Sequence, residues 1–109
     1  MACNEQLAQR VRVQMSTIPG MVEKKMFGGT GFLVNGNMAC GVHGENLIVR
    51  LGLEQSDEAL TREGVKEFDM TGRPMKGWGL VSSRGHEAEA DFQSWLQRGI
   101  RFAQSLPAK

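Results

Sequence analysis

The chain has no tyrosine, only two cysteines (Cys3 and Cys40), two histidines and three prolines. It also has no apolar run near the ~18 residues that a membrane-spanning helix needs. Each scarcity excludes something. Two thiols in a chain long enough to build its own core imply no disulfide framework, and a reducing cytoplasm is the simpler setting. The opening "MACNEQLAQRVRVQM" lacks a basic start followed by a continuous apolar stretch, so it does not read as a signal peptide. Neither sign of charge is in excess: 13 basic against 12 acidic residues leave a net +1. A chain that grips nucleic acid through bulk charge is thereby excluded, while a local basic patch stays open. No G-x-x-x-x-G-K-[ST] and no G-x-S-x-G occurs.

What remains is an ordinary globular composition, 40% apolar and 23% charged, over 109 residues. Residues 1–109 are expected to form one compact domain. Leu7, Val11, Met15 and Ile18 recur at helical spacing, which predicts a helix over 4–18 with Asn4 as its cap and Pro19-Gly20 as its stop. Residues 54–63 predict a short helix ended by Gly64. "VKEFDM" and "GWGLVSS" predict strands joined by a "TGRPMK" loop. Ala88, Phe92, Trp95, Leu96, Gly99, Phe102, Ala103 and Leu106 mark one stripe of a helix over 86–106, which Pro107 ends.

The middle of the chain carries the strongest local signal. "GFLV" and "MACGVH" flank Asn35-Gly36, a pair suited to a tight hairpin turn because both residues must take positive φ. The next reversal falls at Gly44-Glu45. Counting outward from the two turns opposes Leu33 to Met38, Phe32 to Ala39, Cys40 to Val49 and Val42 to Leu47. Side chains alternate faces along a strand, and opposed residues share a face. The expected core face is therefore Leu33, Met38, Cys40, Val42, Leu47, Val49 and Leu51. Phe32, Val34, Ala39, His43, Asn46, Ile48 and Arg50 take the other face. "VEKKMF" adds a strand before this meander. The expected fold is α+β, a two-layer antiparallel sheet with helices packed on one face, in the order α-β-β-β(-β)-α-β-β-α.

Chemistry is sparse. "GGTG" is followed by strand and turn rather than a helix N-terminus, so its glycines serve tight backbone rather than a phosphate cradle. Cys40 and His43 lie an odd number of residues apart on a strand and so face opposite ways; a four-ligand zinc site would also need both Cys3 and His86. No metal and no cofactor are expected. Cys40, pointing inward, lacks the cationic setting that makes a thiolate. Glu5, Glu23, Asp57, Glu58, Glu67 and Asp69 read as solvated surface groups. Lys24, Lys25, Arg50, Arg73 and Lys76 fall at strand ends or in the "TGRPMK" loop, where they could gather into an anion- or partner-docking edge. Apolar groups on the mixed sheet face suggest a homodimer.

Two blocks, "KKMFGGTGFLVNGNMACGV" followed by "LIVRLG", and "GRPMKGWGLV", give nearly the whole chain a resemblance to the N-terminal domain of TfoX/Sxy competence regulators. The resemblance implies a fold similar to secretion chaperones. It also implies a role in bacterial competence, assisting transcription together with the cyclic-AMP receptor protein. Full-length regulators of this kind carry a second, C-terminal domain, so this chain looks like a stand-alone N-terminal domain. The resemblance brings no catalytic set. The expected function is a non-enzymatic, cytoplasmic regulatory domain that binds a protein partner, with transcription machinery as the candidate. The residues expected to carry binding are Lys25, Arg50, Arg73 and Lys76, with Phe27 and Met75 as apolar contacts. Two rival readings stand beside it: a pocket for an acidic metabolite lined by Arg73, Lys76, His43 and Trp78, and weak nucleic-acid binding.

Overall fold

The two tight turns organise the sheet. Asn35 and Gly36 adopt φ of 53° and 84°, and Gly44 adopts 60°, as primed hairpin turns require. The computed structural model describes residues 5–26, 29–62, 64–68 and 75–107. Along them run α1 (Glu5–Met15), β1 (Met21–Met26), β2 (Gly29–Val34), β3 (Asn37–His43), β4 (Asn46–Arg50), α2 (Leu53–Leu60), β5 (Val65–Phe68), β6 (Met75–Val81), α3 (Ser83–His86) and α4 (Glu89–Ser105). The described strands form one antiparallel sheet in the order β1-β2-β3-β4-β6-β5, and it does not close on itself. The expected α+β class and element order are both found, with four strands before the second helix. Asn4, the expected cap, lies outside the described residues.

The predicted register holds from β3 to β4, where Cys40 opposes Val49, Val42 opposes Leu47 and His43 opposes Asn46. It fails from β2 to β3. Leu33 does oppose Met38, but Phe32 opposes Cys40 rather than Ala39. Ala39 is the extra residue of a β-bulge, and one extra residue reverses the facing of everything beyond it. Phe32 and Val34 therefore point inward and are fully buried, while Leu33 and Met38 turn outward and are half-buried. The expected core face was wrong at these four positions and at Ala39, which joins the core cluster, and right at Cys40, Val42, Leu47, Val49 and Leu51.

One apolar cluster joins the inward row to the helices. Leu7, Ala8, Val11 and Met15 of α1, Ala59 of α2, and Phe92, Trp95, Leu96, Ile100 and Ala103 of α4 all pack with Phe32, Val34, Val42, Leu47, Val49 and Val81. The three longer helices thus share one side of the sheet. Each large apolar side chain buried there contributes about 1.5–3 kcal/mol, which holds helices too short to be stable in isolation. The last helix differs from its prediction: residues 83–86 form the separate turn α3, and Ala88 is extended before α4 begins.

Two polar contacts reinforce the packing, one between helix and sheet and one between α4 and α3. Arg12 of α1 donates from Nε and Nη2 to the two carboxylate oxygens of Glu23 on the edge strand β1, 2.7 Å each. Trp95 Nε1 donates to the Gly85 carbonyl at 3.0 Å, which satisfies the one polar group of a buried ring. Among the described residues, no helix is long and apolar enough to cross a membrane.

Candidate functional site

The far side of the sheet carries no helix of the core cluster. Its central row can be read straight from the register: Lys24 opposes Gly31, then Gly41, Ile48, Leu80 and Lys66. Two lysines at opposite edges bracket two glycines and two apolar residues, across five strand spacings or about 24 Å. Ile48 is only 2% exposed, yet it stands apart from the helix-side cluster. Its neighbours shield it. The Met38 side chain lies over Gly41, where a Cβ would come within 2.8 Å of the Met38 methyl. Leu33, Met38, Trp78 and Leu80 are half-exposed around it, and Val22 is 49% exposed. Among the described outward positions of the strands, the charged residues are Lys24, Lys66 and Arg50, with no carboxylate.

Arg50 closes one end of this face. It opposes Trp78 in the β4–β6 ladder, and its guanidinium sits 5.3 Å from the Trp78 ring centroid and 5.3 Å from that of Phe102 on α4. Stacking between two rings holds a flexible cation in one place. Among the described residues Arg50 has no carboxylate partner.

Behind Phe102, on the helix side, a groove of about 590 Å³ opens between α2 and α4. Leu51, Gln55, Glu58, Arg98, Arg101, Phe102 and Ser105 line it. Glu58 accepts Arg98 Nη1 at 2.9 Å through one oxygen and Arg62 Nη2 at 2.8 Å through the other. The hydrogen bonds from Arg98 and Arg62 pull the Glu58 carboxyl from its ordinary 4.5 down to about 2. The same two guanidiniums lie 5.0 Å and 5.9 Å from the Trp95 ring centroid.

The residues singled out from the sequence are only partly brought together. Arg50 meets the start of β6, where the Gly77 carbonyl accepts from the Leu51 and Gly52 N–H groups, so the Met75 and Lys76 backbone lies at the same end of the sheet. Lys25 does not join them. It stands on the edge strand β1, facing the helix layer like Glu23 two residues before it, three strand spacings and three residues away from Arg50, roughly 17 Å in all. Phe27 and Arg73 lie outside the described residues. The pocket imagined from His43 and Trp78 does not form between those two. His43 opposes Asn46 and Trp78 opposes Arg50, so the two lie two strand spacings and four residues apart, roughly 17 Å. The face expected to pair two copies loses Phe32 and Val34 to the core and gains Leu33 and Met38.

Sequence reading missed the α2–α4 groove altogether. Its residues come from segments 40 positions apart, and only the excess of arginine along "LQRGIRF" hinted at it. Glu58 and Glu23 are exposed, as expected, but each is paired with arginine. Cys40 is fully buried, and burial pushes its thiol up to about 12, far from a thiolate at neutral pH. Among the described residues no group of three or more His, Cys, Asp or Glu side chains could hold a metal ion. His86, also buried, donates from Nε2 to the Glu45 carbonyl at 2.9 Å and ties α3 to the β3–β4 turn.

No curated protein and no solved structure matches the chain. The family model of the TfoX N-terminal domain matches residues 13–103. That span takes in every described strand, the bulge, Arg50 and every lining residue of the groove but Ser105, and the chain belongs to the TfoX N-terminal domain family.

Proposed function

We propose that this is a non-enzymatic, cytoplasmic regulatory domain that binds an acidic protein partner through the open face of its sheet. The observation that carries the reading is the group of half-exposed apolar side chains Leu33, Met38, Trp78 and Leu80, with the more exposed Val22, set between Lys24 and Lys66 at the two sheet edges and with Arg50 at one end. An exposed apolar patch rimmed by charge is the usual mark of a protein interface. The family is regulatory in general rather than catalytic, and a buried, protonated Cys40 offers no nucleophile. The resemblance to competence regulators supports a partner in the transcription apparatus.

A second copy is a poor occupant of this face. Two-fold stacking would set a surface with three cations on an identical one, with no carboxylate among the described outward strand positions to answer them, and like charges across an interface are strongly unfavourable. A partner with an apolar stripe flanked by carboxylates complements it instead.

The test is co-purification of the tagged chain from the source cell, with partner and stoichiometry read by mass. An acidic protein should be recovered with the parent, lost with Lys24→Glu/Lys66→Glu, and kept with Arg10→Gln, which alters the helix side. Equal recovery in all three would overturn the reading, as would a stable dimer of the free chain.

A further inference from the structure

The α2–α4 groove is separate from the open face and has a chemistry of its own. We propose that it binds a small organic polyanion, with Arg98 and Arg101 on the acidic groups and Phe102 and Leu51 against the carbon body. This goes beyond the partner-binding role above and does not depend on it.

Size and lining come first. About 590 Å³ lies within the range of small-molecule sites, and an apolar wall with a few polar groups is their usual make-up. Here Leu51 and Phe102 supply the wall, Gln55 an amide, and Arg98 and Arg101 the charge. A guanidinium has five N–H donors in a fixed fork suited to carboxylate or phosphate. Arg98 spends one of them on Glu58 Oε2, and its stacking on Trp95 sets its plane. Arg101 is exposed and has neither a carboxylate nor a hydrogen-bond partner among the described residues.

Among the described residues Glu58 is the one carboxylate lining the groove, and Arg62 and Arg98 already hold it from two sides. Arg101 and, beyond Phe102, Arg50 are left over. Among the described lining residues, Arg98 and Arg101 thus outnumber the single carboxylate of Glu58, which Arg62 also holds from outside the groove. Glu58 behaves as a built-in anion, occupying Arg98 until a stronger acid group displaces it. Two or more negative charges are needed for that exchange, since a monoanion would gain no more from Arg98 than Glu58 does.

Inorganic pyrophosphate and citrate serve as probes, one for phosphate chemistry and one for carboxylate, titrated into the full chain at low salt and followed by amide and Arg Nε–H NMR. Saturable one-to-one shifts are expected at Arg98, Arg101 and Phe102, and the tighter probe names the preferred acid group. Arg101→Gln should weaken binding about tenfold, the worth of a charged hydrogen-bonding partner. Glu58→Gln should tighten it at least severalfold by removing the competitor. Lys24→Gln/Lys66→Gln, titrated at about 0.15 M salt where distant charges are screened, should leave it unchanged, so the open-face reading and this one can fail independently. Arg101 and Glu58 are exposed, and thermal melts check that both variants fold. The proposal is overturned if neither probe gives saturable shifts in the groove, if Arg101→Gln binds like the parent, or if Glu58→Gln fails to tighten.

Discussion

Replacing Gly99 by alanine sets two well-characterised effects against each other. Gly99 lies in the interior of α4, where alanine is favoured over glycine by about 1 kcal/mol, so propensity alone predicts a gain. The packing says otherwise. A Cβ on Gly99 would stand 2.3 Å from the carbonyl oxygen of Ala39 and 3.1 Å from its carbon. That is more than about 1 Å inside ordinary van der Waals contact. The obstacle is the backbone of β3 at its bulge, which cannot rotate aside as a side chain could. The helix must rise from the sheet, loosening Leu96, Ile100 and Ala103 together. Overpacking of this kind costs about 1–3 kcal/mol, occasionally more. Because the obstacle is backbone, the cost falls in the upper part of that range, about 2–3 kcal/mol, and less the propensity gain the net loss is about 1–2 kcal/mol, a fall in Tm of roughly 5–10 °C. Urea unfolding should show a lower midpoint at unchanged slope. Ser94→Ala, exposed on the same helix, is the propensity control and should gain a few tenths of a kcal/mol. A Gly99→Ala variant as stable as the parent would mean that α4 does not rest on the bulge, and the docking described above would be wrong.

Three further outcomes follow from the same geometry. Phe32→Ala should cost about 3–5 kcal/mol and Leu33→Ala about 1 kcal/mol or less; the reverse ranking in urea melts would restore the unbulged register. Glu58 is held near 2 when folded against an ordinary 4.5. Its pairing therefore supports the fold above about pH 4.5 and fades as pH falls towards 2, so Glu58→Gln should flatten the acid limb of stability between those values, more visibly at low salt. Parallel acid limbs in the two proteins would refute that. In a Cys3→Ser background, Cys40 should resist a thiol reagent at pH 8 and react fully in denaturant; rapid labelling of the native protein would contradict its burial.

Much of the fold can be read from local chemistry. Asn35-Gly36 and Gly44 announce their turns because few other residues accept those dihedrals, and the α4 stripe announces its buried side through spacing. Ala39 announces nothing. A bulge at an ordinary alanine has no side-chain signature, yet it reverses Phe32, Leu33, Val34 and Met38, and it reflects α4 pressing on β3 from 60 residues away. The candidate site shows the same division. Arg50 could be selected as a basic residue at a strand end, but its two aromatic neighbours come from β6 and α4. Lys25 looked equivalent in the sequence and is placed elsewhere by sheet order. Glu58 looked like a solvated carboxylate because its partner Arg98 lies 40 positions on, beyond the reach of any periodicity.

The placement of α4 also bears on how the chain reaches this state. It is the last of the described elements, it covers the central strands β2, β3 and β4, and just past its end the Pro107 carbonyl accepts from Asn37 Nδ2 at 2.9 Å. A nascent chain can zip its hairpins early, since these contacts are local. Until residue 107 has been synthesised, the inward row lacks its largest cover and the sheet stays bare on the side meant to be dry. Completion of the core therefore waits for α4, and the half-made domain is the form most in need of a chaperone.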